Sequence, residues 1–340
     1  MIIFATKLNR GRQMKNSIGI IIISILVLSG CNKQSMSDSL LNEVEKVIAV
    51  NPDSASNLLK SISSPEKLDD KTFARWCMLS GKITDEIFNS ILPTYQLERA
   101  YEWYSSHGSP DEQVQILIYL GRSFFADGDY DKAMSIYTNA LDIAEKNKLN
   151  NLTGYTYSYI GDLYGEKFMR TEAIKRYKAA AECFKKENNT DSYACALRDV
   201  GREYACIDSL SRALKILTIA DSVARNTKNI EVTASIDNAL GNIYAMQNKY
   251  DKAEEYFLKA LVGRETMPDY MALIDLYIAS GAINKAKELL SKIPQDNPKY
   301  TYSIKYLYYQ IYNEEKNYKE ALTNLKEYIE ITDSIIYADN

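Results

Sequence analysis

Residues 241–261 read "GNIYAMQNKYDKAEEYFLKAL", which sets Gly241, Tyr244, Ala253, Phe257 and Ala260 at intervals of 3, 9, 4 and 3. Intervals of three and four return side chains to one face of a helix, and the polar "QNKYD" between them carries turn chemistry. The stretch describes two helices joined by a tight turn, with small residues where the helices meet. The same spacing recurs in "GRSFFADGDYDKAMSIYTNAL" from Gly121, "GDLYGEKFMRTEAIKRYKAAA" from Gly161 and "GREYACIDSLSRALKILTIAD" from Gly201, so the four glycines stand 40 residues apart each time. Each copy has an aromatic residue three after Gly, Ala at twelve, a large apolar residue at sixteen and Ala at nineteen. Two weaker copies follow, with Tyr277, Ala286 and Leu290 and then Tyr312, Ala321, Leu325 and Tyr328, at spacings of 33 and 35 residues.

Self-similarity at a fixed period of this size is the mark of a solenoid, in which each unit buries its apolar face only against its neighbours. The spacing resembles the tetratricopeptide repeat, a helix-turn-helix unit. The resemblance covers about residues 113 to 335. It implies an all-α solenoid wound as a right-handed superhelix, with a period of about 40 residues and then 33 to 35. Gly121, Gly161, Gly201 and Gly241, with Ala133, Ala173, Ala213, Ala253, Ala286 and Ala321, take the positions where a larger side chain would push paired helices apart. The six residues beyond the usual repeat length are expected as about one and a half extra helical turns. Upstream, "SDSLLNEVEKVIAVNPDSASNLLKSI" and "FARWCMLSGKITDEIFNSILPTYQLERAYEWYSSH" read as divergent helix pairs capping the array, with Pro52, Asp53 and Ser54 marking a stop and restart.

In proteins of the resembled family the concave groove is lined by positions three before and one after the consensus Gly. Here those are Ile118 and Arg122, Ser158 and Asp162, Arg198 and Arg202, Asn238 and Asn242, and Met271 and Asp275. Two Arg followed in the next unit by two Asn resemble the carboxylate clamp of peptide-binding members. The resemblance therefore implies an acidic or C-terminal peptide segment as the groove's partner, since Arg holds a carboxylate bidentately and Asn bonds a peptide backbone. Tyr306 falls on the same inner face, whereas most of the 27 tyrosines recur at helical spacing and read as core with the phenol oxygen near the surface.

The N-terminus has a different character. Lys7, Arg10, Arg12 and Lys15 precede the apolar run Ile18 to Leu28 with no acidic residue among them. The run is too short to span about 30 Å of hydrocarbon and reads as the core of an export signal. It closes on Leu28, Ser29, Gly30 and Cys31, which resembles a bacterial lipobox. That resemblance implies cleavage before Cys31, lipidation of its thiol and anchoring in a bacterial cell membrane or outer membrane, each buried methylene contributing about 0.8 kcal/mol. Cleavage moves the formal charge from −4 to −8, because only those four cations are lost. The expected organisation is a signal peptide at 1–30, a polar tether at 31–39, divergent helix pairs at 40–112, the repeat array at 113–335 and a tail at 336–340. Either Met1 or Met14 is the start of translation.

Chemistry is sparse. His107 is the only histidine, so no Ser-His-Asp, Cys-His or His-rich metal site can be assembled, and no phosphate-binding loop occurs. No enzyme activity, cofactor or metal is expected. With 41 basic against 45 acidic residues there is no cationic excess for nucleic acid. Cys77, Cys183, Cys195 and Cys206 show no Cys-x-x-Cys spacing; Cys183 and Cys195 suit either a staple between units or small apolar seams. The expected function is a protein-interaction scaffold in the envelope. The order "NPDSASNLLKSI", divergent pair, regular repeats also resembles envelope tetratricopeptide sensors, and a glycan-binding outer-membrane lipoprotein is the other alternative. The last helix, ending at Ile335, Ile336 and Tyr337, offers an apolar strip to another helix or chain.

Overall fold

A computed structural model describes residues 36–87, 91–263, 266–294 and 300–338; the signal segment, Cys31 and the first part of the tether lie outside them. Among the described residues there are sixteen α-helices, one short 3₁₀ turn and no strand. They are α1 (36–47), α2 (Pro52–Lys60), α3 (Asp70–Ile87), α4 (Thr94–His107), α5 (Pro110–Ala126), α6 (Tyr130–Lys146), α7 (Asn150–Glu166) and α8 (Arg170–Lys186). The series continues with α9 (Thr190–Cys206), α10 (Leu210–Thr227), α11 (Ile230–Met246), α12 (Tyr250–Gly263), α13 (Met267–Ala279), α14 (Ile283–Ser291), α15 (Thr301–Glu314) and α16 (Tyr318–Ala338). The chain divides into two compact units between Leu152 and Thr153. In the first, α3, α4, α5 and α6 pack in chain order; in the second, α8 to α16 do the same, and the first helices of successive hairpins, α9, α11, α13 and α15, also touch one another.

Two expectations are corrected at the ends. Residues 36–39 are the first turn of α1 rather than tether, because Ser37, Leu41 and Val44 recur at helical spacing and are buried. Residues 336–338 are helical rather than tail, as the last turn of α16.

The helix starts follow local chemistry. Asn51 accepts a hydrogen bond from the Ser54 N–H and Pro52 opens α2. Ser109 and Glu112 form a capping box ahead of Pro110 in α5, and Asp129, Asn189 and Asn229 cap α6, α9 and α11. The turns inside the hairpins share one geometry. The aromatic residue three after the consensus Gly accepts, through its carbonyl, the N–H five residues on: Asp129 to Phe124, Met169 to Tyr164, Ser209 to Tyr204 and Lys249 to Tyr244, at 2.8–2.9 Å. That 6→1 bond needs a left-handed residue just before its donor. Gly128, Phe168, Asp208 and Asn248 fill that place, all with positive φ.

The glycine rule has a direct spatial cause. A Cβ on Gly121 would collide with the Tyr137 ring, and one on Gly161 would stand 2.7 Å from Tyr177, on Gly201 2.6 Å from Leu217 and on Gly241 2.6 Å from Phe257. The residue sixteen after each Gly therefore occupies the space a side chain would need. Ala133, Ala173, Ala213 and Ala253 are wholly buried beside these pairs. The aromatic rings at Gly plus three are covered by cations from the second helix of their hairpin: Phe124 by Lys132, Tyr164 by Arg176, Tyr204 by Arg212 and Tyr244 by Lys252, at 5.1–5.9 Å. Three of the 27 tyrosines are accounted for in this way.

Candidate functional site

The stripe read from the sequence lies on the first helices of the hairpins. In the second unit the residue after each consensus Gly position, Asp162 of α7, Arg202 of α9, Asn242 of α11 and Asp275 of α13, is exposed. Its partner one turn earlier, Ser158, Arg198, Asn238 or Met271, is half-buried. Helical geometry explains the difference, since the earlier position leans into the contact between neighbouring first helices. Arg122 belongs to the first unit, where it is ion-paired with Asp85 of α3 and lies beside the Tyr119 ring.

Arg198 and Arg202 do not form an open two-arginine clamp. Arg198 is already held bidentately by Asp199, with Nε 2.9 Å from Oδ1 and a terminal nitrogen 3.0 Å from Oδ2. Its other terminal nitrogen donates to Ser235 Oγ of α11 at 2.9 Å. Asp199 sits between the two stripe positions and supplies in-house the carboxylate that a ligand was expected to bring. Arg202 is 3.8 Å from Asp199 and keeps 66% of its side chain exposed, so it is the arginine that faces outward.

The asparagine pair is similarly graded. Asn238 donates to the buried Asp269 of α13 at 2.8 Å, bridging neighbouring hairpins. Asn242 donates to the backbone and side-chain oxygens of Asn238 at 3.0 Å and presents the rest of its amide outward. Asp162 accepts a 2.6 Å hydrogen bond from the Tyr177 hydroxyl. Protein atoms crowd its carboxyl although one side stays open to water. That burial pushes its pKa up to about 7, with Asp199 adding to the rise and the Tyr177 hydrogen bond, Arg198 and Arg202 opposing it. Burial also raises Asp275 above the usual carboxylate range. The stripe thus alternates carboxyl, guanidinium, amide and carboxyl over four helices, a pattern for a segment of mixed charge rather than for a bare anion.

No group of three His, Cys, Asp or Glu among the described residues is placed to hold a metal. Cys77 and Cys206 are free thiols, and Cys77 is buried, which raises its pKa. His107 stacks on Trp103 at 5.0 Å. No described helix is long and apolar enough to cross a membrane.

Hairpins with this seam are those of the tetratricopeptide repeat: residues 112–186 and 233–267 match family models described as tetratricopeptide repeat, and the chain carries such repeats in an all-helical solenoid fold. Solved structures share that fold. The chain is similar to a Rap protein complexed with competence and sporulation factor, at 16% identity and TM-score 0.62 over 89% of this chain and 99% of that one. It is similar to aspartyl phosphate phosphatase F from Bacillus subtilis at 15% identity and TM-score 0.59, over 86% and 79%. It is similar also to NprR in complex with its cognate peptide NprX at 14% identity and TM-score 0.55, over 85% and 88%. At these identities the likeness is one of fold. No curated protein matches the sequence.

Proposed function

We propose that the chain is a non-enzymatic, lipid-anchored scaffold of the bacterial cell envelope that holds an extended peptide or protein segment against the first-helix face of its second unit. The observation that carries this reading is the register of Asp162, Arg202, Asn242 and Asp275, four exposed polar side chains at one equivalent position on α7, α9, α11 and α13. In tetratricopeptide arrays that face is the groove. Two proteins of similar fold bear peptide or peptide-factor complexes in their names, NprR with NprX and a Rap protein with competence and sporulation factor, which supports a peptide as the ligand class. The charges suit a segment with an acidic group toward Arg202, a basic one toward Asp162 or Asp275, and a backbone amide toward Asn242.

The lipid anchor rests on the run ending at Cys31. Two experiments test the reading. Capture of envelope proteins on the full chain, compared with an Arg202→Ala, Asn242→Ala double variant, should show a partner lost from the variant; retention of the same partners by both places binding elsewhere. Intact mass of the mature protein should show an acylated Cys31 at its N-terminus, and Cys31→Ser should release the chain from the membrane fraction.

A further inference from the structure

The 40-residue register makes the hairpins directly comparable, and the seam between α4 and α6 differs from those that follow it. Leu97 and Ala100 of α4, both buried, stand 40 residues before Tyr137 and Ala140 of α6, so α4 is the second helix of the hairpin that precedes α5 and α6. In the later seams the ring at Gly plus three is covered by side chains of the array itself. The Arg176 guanidinium stands 5.9 Å from both the Tyr157 and Tyr164 rings. Lys178 of α8 donates to the Tyr204 hydroxyl at 2.8 Å, with Arg212 of α10 also over that ring. Tyr256 of α12 stacks on Tyr244 at 5.4 Å.

At the α4–α5–α6 seam the same places hold other residues. Eighty residues before Lys178 is Glu98, and forty before Arg176 is Ile136; neither is a cation. An open groove of about 470 Å³ remains, floored by Leu120 and Phe124, with Ile136 on one wall and Glu98, Tyr101 and Glu102 on the other. Those three residues of α4 share one helix face. The Tyr101 ring is fixed there by a hydrogen bond that its hydroxyl accepts from Asn139 of α6 at 3.1 Å. Glu98 and Glu102 are exposed, and among the described residues neither has an ion-pair partner. The rim's own cation, Lys132, is held by Asp129 at 2.9 Å, with Glu98 a weaker neighbour across the groove. Two carboxylates four residues apart on a helix repel one another, and a cation between them removes that cost.

We propose that this groove of the first unit receives an arginine or lysine side chain from a segment of a partner protein. The aliphatic stem lies over Leu120, Phe124 and Ile136, and the cationic head sits between Glu98 and Glu102 beside the Tyr101 ring. The chain carries its own precedent, since Arg176 and Lys178 fill the equivalent places of later seams; here the partner brings the cation that the repeat does not supply. The site uses none of Asp162, Arg202, Asn242 or Asp275 and stands apart from the peptide-binding reading of the second unit.

The test selects random peptides displayed on phage against the full chain and counter-selects them on the Glu98→Gln, Glu102→Gln variant. Peptides kept by the wild type and lost by the variant should share an arginine or lysine, and glutamine in its place should weaken the synthetic peptide about tenfold by fluorescence anisotropy. Glu98→Lys with Glu102→Lys should reject that peptide and bind its counterpart carrying glutamate at the basic position, a rescue that loss of folding cannot mimic. Ile136→Arg, which builds into this seam the cation that Arg176 provides in the next, should block the wild-type peptide. Selection of no peptide that depends on the two glutamates, dependence without a shared basic residue, or undiminished binding to the Ile136→Arg chain would overturn the proposal.

Discussion

Gly241 and Asn242 are neighbours in the chain and opposites in role. Gly241 faces inward, where Phe257 fills the space of the missing Cβ, and the same arrangement repeats at Gly121, Gly161 and Gly201. The residue after each of these glycines is Arg122, Asp162, Arg202 or Asn242, three residue types over four positions. Within a single helix, then, one face is invariant and the next is free to vary. The invariant face carries the packing that every hairpin must solve in the same way, and the variable one carries whatever distinguishes this chain.

The contrast can be broken from its inward side. Phe257→Ala should lower unfolding free energy by about 3–5 kcal/mol, read by urea titration, because a ring that is almost wholly buried leaves a cavity at a helix seam. Gly241→Ala should cost about 1–3 kcal/mol by overpacking, although Ala is the better helix former. Adding Phe257→Leu should recover part of that loss, since Leu217 is what Gly201 already faces. These changes should appear as shifts in the urea midpoint.

The outward face is sharpened by Asp162. Its carboxyl holds a proton up to about pH 7 in the folded chain, well above the usual carboxylate range. The folded state therefore binds that proton more tightly than the unfolded one, and the contribution to stability declines as pH rises from about 4 through about 7. Asp162→Asn keeps an acceptor for the Tyr177 hydroxyl and removes the titration. Melting temperatures should favour the variant above pH 7 and converge with wild type toward pH 4; parallel curves would show that the carboxyl is not held in this way.

Smaller effects sit at the turn and on the stripe. Phe168 is 80% exposed and left-handed, where its counterparts are Gly128, Asp208 and Asn248. Phe168→Gly should stabilise by about 1 kcal/mol through relief of that conformation, visible as a raised midpoint in urea. Arg202→Ala with Asn242→Ala should move stability by less than about 0.5 kcal/mol while abolishing partner capture, which separates the two faces by experiment.

The invariant face was legible in the sequence because repetition displays it: four glycines at one period and their partners sixteen residues on determine which helices pair and where they touch. The variable face was legible only in position. The register placed Arg198, Arg202, Asn238 and Asn242 on the stripe, yet it did not reveal that Asp199 occupies Arg198 or that Asp269 accepts from Asn238. Asp199 falls between the two stripe positions and recurs in no other unit, so no period marks it.

The uniform spacing of the four glycines also bears on how such a chain can change over generations. Excising residues 201–240 would bring Gly241 to the 40-residue distance from Gly161 that Gly201 now holds, and would remove the Gly201–Leu217 pair whole, leaving no orphaned half. Duplicating the same segment would add a complete pair by the same arithmetic. The number of hairpins is thus a variable that recombination can adjust in whole steps, each step adding or deleting one outward-facing residue that selection can then set independently.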